Sequence, residues 1–327
     1  MKIQYNTCMT ILVTGSAGFI GYHLVKRLLS IGHKVVGIDS ISDYYDISLK
    51  EARNNDNLKS SDYSFVKIDI CDQIEMNKVF SNTQFNLVIH LAAQAGVRHS
   101  LTHPYEYIHS NLLGMTVLLE CMKQHSVPKL IFASSSSVYG NNPLPIDGFS
   151  ESDLVDNQVS LYGATKKSDE LIAHVYHHLY NISCIGLRFF TVYGPYGRPD
   201  MAYFSFTQRI LRQEPIVLYN FGNMERDFTY IDDIIDGIML SILHESSFSI
   251  FNIGHSEPVN LQYFVSILEK ELGMNAKTIL QPMQKEDLYQ TYANISKAER
   301  ELGYHPKWSI EKGLHEFVAW YQSYYHE

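Results

Sequence analysis

The sequence lacks most of the features that would place it in an oxidising space, in a membrane or on a charged polymer. Its four cysteines, Cys8, Cys71, Cys121 and Cys184, are scattered without a CxxC pair. That argues against a disulfide framework and predicts a cytoplasmic protein. No apolar run approaches the roughly 20 residues of a membrane span, and the first residues lack the apolar stretch of a secretory signal. No basic run exceeds two residues and the net charge is −9, so neither nucleic acid nor an anionic membrane surface is an expected partner. The 15 histidines are read as surface and packing residues, and no metal site is expected.

What the chain does have is an apolar run that breaks into three glycines spaced by three, Ile11-Leu-Val-Thr-Gly15-Ser-Ala-Gly18-Phe-Ile-Gly21. A strand, a glycine turn and a helix start make a socket for a dinucleotide pyrophosphate, because the backbone can come close and the helix presents unpaired N–H groups. Glycines also collect in turns for conformational reasons alone, so the context has to decide. A helical pattern follows on Ile20, Leu24 and Leu28, and a second apolar strand, Lys34 to Asp39, ends in an acid. Asp39 stands where a carboxylate grips an adenosine ribose, and a 2′-phosphate beside it would be repelled, so NAD is favoured over NADP. The plainer reading of Asp39 is a helix cap or turn.

Further strands are read at 63–69, 86–93, 129–135 and 184–190, with helices at 73–80, 104–124 and 160–180 between them, and a polar Asn/Ser-rich stretch at 40–62. Asp69 ends one strand where it could hold an adenine amine, and Leu91, Ala92 and Ala93 end another with room for a flat-lying cofactor. Such alternation predicts an α/β fold, a doubly wound parallel (Rossmann) sheet with ligands at the carboxyl ends of its strands. Regular βαβ order fails after about residue 187. The expected division is therefore 1–187 for the dinucleotide, with 228–252 returning to it, and 188–327 as a smaller mixed α/β substrate domain. Helices are read at 204–212, 231–243, 261–272 and 310–321 in that second part.

Tyr162 and Lys166 are four apart, so they project from one helical face. A phenol of pKa about 10 is a poor base at neutral pH, but an adjacent ammonium and a cationic nicotinamide both favour its phenolate. The spacing alone would suit an ordinary surface pair. It becomes chemical in combination with the serine run Ser134 to Ser137 at a strand end and the upstream glycine turn.

The motifs Gly15-xx-Gly18-xx-Gly21, His90-Leu-Ala-Ala93, Ser134 to Gly140, Tyr162-xxx-Lys166 and Arg226-Asp-Phe-Thr-Tyr-Ile-Asp232-Asp233 together resemble the extended short-chain dehydrogenase/reductase family of nucleotide-sugar enzymes. Asp43-Tyr-Tyr-Asp46, Gln94 to Arg98 and Leu187 to Met201 are similar to the branch that inverts C4 of UDP-glucuronate. The resemblance implies an NAD-dependent isomerase working through a 4-keto sugar, a homodimer, and a product used in polysaccharide biosynthesis. Tyr162 would take the C4 hydroxyl proton, Ser135 would hydrogen-bond the same oxygen, and Lys166 would serve both Tyr162 and the nicotinamide ribose. NAD positions would be Gly15, Gly18, Phe19, Ile20, Gly21, Asp39, Lys50, Asp69, Ile70, Leu91, Ala92, Ala93, Tyr162 and Lys166.

For the UDP-sugar, the resemblance implies Ser136, Ser137, Thr191 and Arg198 around a carboxylate, Arg98 and Arg226 at the diphosphate or sugar, and Asp287 at a ribose. Phe204 and Tyr219 could flank uracil or simply pack. Gln284 stands where many relatives have an Arg, which departs from the usual diphosphate clamp. A 4,6-dehydratase would need an Asp-Glu pair where Ser136 and Ser137 stand, and a decarboxylase a Glu at Ser137. Epimerases of N-acetylated hexoses, hexosaminuronates or UDP-glucose remain alternatives, as does an NAD-sensing protein without chemistry.

Overall fold

The computed structural model describes residues 8–283 and 289–326. The chain opens with β1 (Thr10–Thr14), α1 (Phe19–Ser30), β2 (Lys34–Asp39), α2 (Ile47–Asn57), β3 (Tyr63–Lys67) and α3 (Gln73–Asn82). It continues through β4 (Leu87–His90), α4 (Val97–Thr102), α5 (Pro104–Tyr107), a π-helical turn (Ile108–Leu113) and α6 (Gly114–Gln124). Next come β5 (Lys129–Ser135), α7 (Leu161–Tyr180), β6 (Ser183–Phe189), β7 (Thr191–Tyr193), α8 (Ala202–Leu211), β8 (Ile216–Leu218) and β9 (Glu225–Tyr230). The last elements are α9 (Ile231–Leu243), β10 (Phe248–Ile253), β11 (Pro258–Asn260), α10 (Leu261–Leu272), β12 (Thr278–Leu280), β13 (Gln290–Thr291), α11 (Ser296–Leu302) and α12 (Ile310–Tyr325).

Seven strands form one sheet in the order β10-β6-β5-β4-β1-β2-β3. β1 pairs in parallel with both β2 and β4, so the strand order reverses at its carboxyl end. Such a reversal opens a crevice there, and the Gly15 turn leaves β1 at that point. Ile11, Leu12 and Val13 are fully buried, as expected for a strand covered on both faces. Phe19, Tyr22, Leu24, Val25 and Leu28 give α1 its buried stripe.

Two departures from the sequence reading have local causes. The polar stretch 40–62 contains α2, whose buried residues are Leu49, Lys50, Arg53, Asn54 and Asn57. Hydrogen bonds satisfy that polar face, so no apolar period announces it. Arg53 Nη1 donates to the Ala17 carbonyl (3.2 Å) and the Tyr45 hydroxyl (2.7 Å), and Tyr63 donates to Asn54 Oδ1 (3.0 Å). The long helix read at 104–124 is divided by the π-helical turn, and α4 precedes it.

The described residues form two compact units, 8–140, 155–188 and 238–251 in the first, and 141–154, 189–237, 252–283 and 289–326 in the second. Relative to the expected division, residues 141–154 and 228–237 group with the second unit and 238–251 with the first. In the second unit β9 is the central strand, flanked by β11 and β13 and also paired with β7. Among the described residues, no helix is long and apolar enough to cross a membrane.

Candidate active site

The glycine turn is a tight socket. Gly15 has φ +70°, and a Cβ there would lie 2.7 Å from the Ala92 backbone nitrogen. Gly18 caps α1 without a side-chain hydrogen bond, and the first turn carries no acid. The leading N–H groups of α1 are therefore left without a capping side chain or a competing anion. Thr14 Oγ1 accepts from Leu91 N and Ala92 N, both at 3.2 Å, which ties the end of β1 to the end of β4. Asp39 accepts from Ala17 N (3.1 Å) and Ile41 N (2.8 Å), which fixes its carboxylate at the end of β2.

Of the remaining positions expected to meet the dinucleotide, Phe19 and Ile20 open α1, Lys50 is in α2, Asp69 and Ile70 follow β3, and residues 91–93 follow β4. Phe19 and Ile70 are buried, whereas Ile20 and residues 91–93 are half-buried. Ile70 belongs to the apolar core, so only its backbone can face a ligand. Lys50 Nζ donates to the Ser42 carbonyl (2.7 Å) and hydroxyl (2.8 Å). Asp69 is exposed, accepts from Cys71 N at 2.9 Å and stands 3.3 Å from His109 Nε2. Burial works against its ionisation, but the Cys71 and His109 contacts prevail and lower its pKa. A close-approach turn, an uncapped helix start and an anchored ribose-side carboxylate together fit NAD.

At the end of β5, the serines divide their tasks. Ser134 Oγ donates to Glu170 (2.7 Å) and is buried in the scaffold. Ser135 Oγ accepts from Ser137 N (3.1 Å), which leaves its own proton to donate. Ser136 and Ser137 are half-buried. On α7, Tyr162 packs its ring edge-on to Tyr107, centroids 6.1 Å apart. Lys166, only 2% exposed, donates to the Ala133 carbonyl at 2.9 Å and to Asp169 at 3.1 Å. The helix pair and the β5 serines thus lie in one unit, joined through Ala133.

A supporting network that no sequence motif marks holds these groups in place. Asn111, in the π-helical turn, donates to the Gln94 carbonyl (3.1 Å) and Thr165 (2.9 Å) and accepts from Gln94 N (2.8 Å). π-Helical turns inside α-helices concentrate at functional sites. Arg188 forks onto Glu170 at 2.8 and 2.9 Å. That guanidinium holds the carboxyl below its ordinary pKa although burial alone would raise it. His90 is held neutral, its pKa pushed down to about 3 by burial and, secondarily, by Lys166. The signal for Asn111 and Glu170 would have been a polar residue on an otherwise apolar helix face.

Of the expected substrate residues, Arg98 is exposed at the start of α4. In the second unit, Thr191 is half-buried in β7 and Tyr219 half-buried beyond β8. Arg198 forks onto Asp200 at 3.1 and 2.6 Å. Arg226 donates to the carbonyls of Glu225 (2.8 Å) and Tyr289 (3.1 Å). Phe204, read as either flanking uracil or packing, is 2% exposed and packs against Phe317, Trp320 and Tyr321 of α12, which favours the packing reading. Asp287 and Gln284 lie outside the described residues.

Among the described residues, two clusters bring together side chains of metal-ligating type, Asp69/Cys71/His109 and His99/His103/Glu106. In the second, the imidazoles stack 4.0 Å apart with planes 10° from parallel. An ion lies in the plane of each ring that binds it, so stacked planes do not converge on one ion.

The NAD dependent epimerase/dehydratase family model matches residues 11–254. The chain is 51% identical over 314 residues to an uncharacterised protein of Methanocaldococcus jannaschii, covering 95% of each. It is 47% identical over 344 residues to UDP-glucuronate 4-epimerase 4 of Arabidopsis thaliana, covering 99% of this chain and 78% of that one. The crystal structure of UDP-glucuronic acid 4-epimerase from Bacillus cereus, in complex with UDP-glucuronic acid and NAD, superposes with a TM-score of 0.90 at 36% identity, covering 97% and 100%. With the family model spanning the glycine turn, the β5 serines and the Tyr162/Lys166 helix, the chain belongs to the NAD dependent epimerase/dehydratase family.

Proposed function

We propose that the chain interconverts UDP-glucuronate and UDP-galacturonate by inverting C4 through a 4-keto sugar. The observation that carries this reading is the buried Lys166 one helical turn from Tyr162, hydrogen-bonded to the Ala133 carbonyl of β5, the strand that ends in a Ser135 hydroxyl whose proton is free to donate. Tyr162 accepts the C4 hydroxyl proton on oxidation and returns it on reduction. Ser135 holds the same oxygen, and Lys166 supplies the positive charge that favours the phenolate. NAD, when bound, supplies a reversible hydride acceptor. Gly15, Gly18, Gly21, Asp39 and Asp69 are the residues that would hold it.

For the substrate, Ser136, Ser137, Thr191 and Arg198 are assigned to the uronate carboxylate, because hydroxyls and a forked guanidinium suit an anion. Arg98 and Arg226 are assigned to the diphosphate or sugar, Tyr219 to the base and Asp287 to a ribose. The first unit would then be the cofactor domain and the second the UDP-sugar domain. The chain is further read as an enzyme of polysaccharide biosynthesis and as cytoplasmic, the latter supported by four free cysteines. A homodimer is supported by exposed apolar residues on α7, Leu171, Val175 and Leu179, and by Tyr105 and Ile108 on the neighbouring helical segment.

The test is incubation of purified protein with UDP-glucuronate and no added NAD, followed by proton NMR of the anomeric and C4 signals. UDP-galacturonate is the expected product. Inert UDP-glucuronate alongside turnover of UDP-N-acetylglucosamine would refute the substrate assignment.

A further inference from the structure

Lys166 and Asp169 stand three apart on α7, 2% and 1% exposed, with Nζ 3.1 Å from Oδ2. The ammonium also donates to the Ala133 carbonyl, so two of its three protons are committed and one remains for a ligand. Asp169 is less well provided for. Its other oxygen, Oδ1, is buried without a hydrogen-bond partner. A buried carboxylate so poorly satisfied is costly, and apolar replacements of buried ion pairs are often neutral or stabilising. Folding alone therefore does not account for an acid at this position.

We propose that Asp169 is a positioning residue for Lys166, anchoring the buried ammonium and offsetting its charge, so that it sets the positive potential Lys166 presents to the Tyr162 hydroxyl. This rests on the reading of Tyr162 as the proton acceptor. The other charged groups packed around the pair are engaged elsewhere. Glu170 is shared among Arg188, Ser134 and Lys167. His90, facing Lys166 from β4, is neutral because burial depresses its pKa.

Burial, opposed by Lys166, pushes the Asp169 carboxyl up to about 6. Above that pH the carboxylate offsets the ammonium at Tyr162. Below it the protonated acid leaves the ammonium uncompensated, which favours the phenolate more strongly. On this proposal the ionisation of Asp169 is coupled to the chemistry of the Lys166/Tyr162 pair, as in any set of interacting sites.

The experiment compares wild type, Asp169→Asn and Tyr162→Phe as purified. Phenolate is followed by ultraviolet difference titration with the Tyr162→Phe signal subtracted, and the pH profile of kcat is measured alongside. In Asp169→Asn the Tyr162 signal is expected about one pH unit lower. The acid limb of kcat moves the same way. An unshifted Tyr162 signal in Asp169→Asn overturns the proposal, whatever happens to thermal stability. Asp169→Ser is a second neutral variant should the amide fail to fold. Full turnover in Tyr162→Phe would remove the base reading itself; an inactive Tyr162→Phe beside an unshifted Asp169→Asn removes this inference alone.

Discussion

Arg198 shows what a residue's neighbours add to its type. A guanidinium suits a uronate carboxylate because two N–H groups meet two oxygens in one plane. In the structure that fork is already satisfied by Asp200. A substrate carboxylate bound by Arg198 would share or displace Asp200, and part of the contact energy would be offset by the pair that loosens. Arg198→Ala is expected to raise KM for UDP-glucuronate about 10- to 100-fold, the range of a charge-assisted hydrogen bond. KM for UDP-glucose, which has no carboxylate, should stay within about twofold. Initial-rate kinetics on both substrates check this, and equal rises would contradict a carboxylate contact. Lys166 and Ser135 are legible by spacing and by position at a strand end. Asp169 and Asp200 are not, because nothing in an acid's sequence position says which cation it will face.

Among the elements, β9 departs furthest from what its sequence suggests. The motif Arg226 to Asp233 contains three acids and an arginine and looks like ligand chemistry, yet two of its carboxylates are structural. Asp227, fully buried, accepts from Thr229 Oγ1, His255 N, Ser256 N and Ala293 N at 2.7 to 3.1 Å. Asp233 accepts from Lys307 N (2.9 Å) and Trp308 N (3.1 Å). These carboxylates draw β9, the turn after β10, β13 and the approach to α12 into one framework. Asp227→Ala would leave one buried and two half-buried backbone N–H groups without this partner, at a cost of about 4 kcal/mol. Trp308 and Trp320 are the chain's two tryptophans, and both lie in the second unit, so their fluorescence in urea reports that unit's unfolding. A loss below about 1 kcal/mol would contradict the hub. α2 teaches the converse lesson, a helix invisible to apolar periodicity because its inner face is polar and hydrogen-bonded.

For the whole molecule, self-association turns on a surface. Leu171, Val175 and Leu179 recur every four residues on α7, 56%, 49% and 58% exposed, an apolar stripe of the kind that marks an interaction face. The protein is expected to sediment at twice its 37.5 kDa chain mass, and Leu171→Asp with Leu179→Asp to give monomer. Wild type sedimenting as a monomer at tens of micromolar would refute the dimer. The sequence by itself determined the parallel sheet, the glycine socket and the Tyr162/Lys166 pair, because apolar strands, glycine spacing and helical periodicity are local and repeat along the chain. Only the tertiary structure decided that Phe204 is core, that Asp227 is scaffold, that Arg198 is already paired and that Asp169 sits against Lys166. Each of those depends on which distant groups share a low-dielectric space, and Coulomb and desolvation energies are set by that proximity rather than by order along the chain.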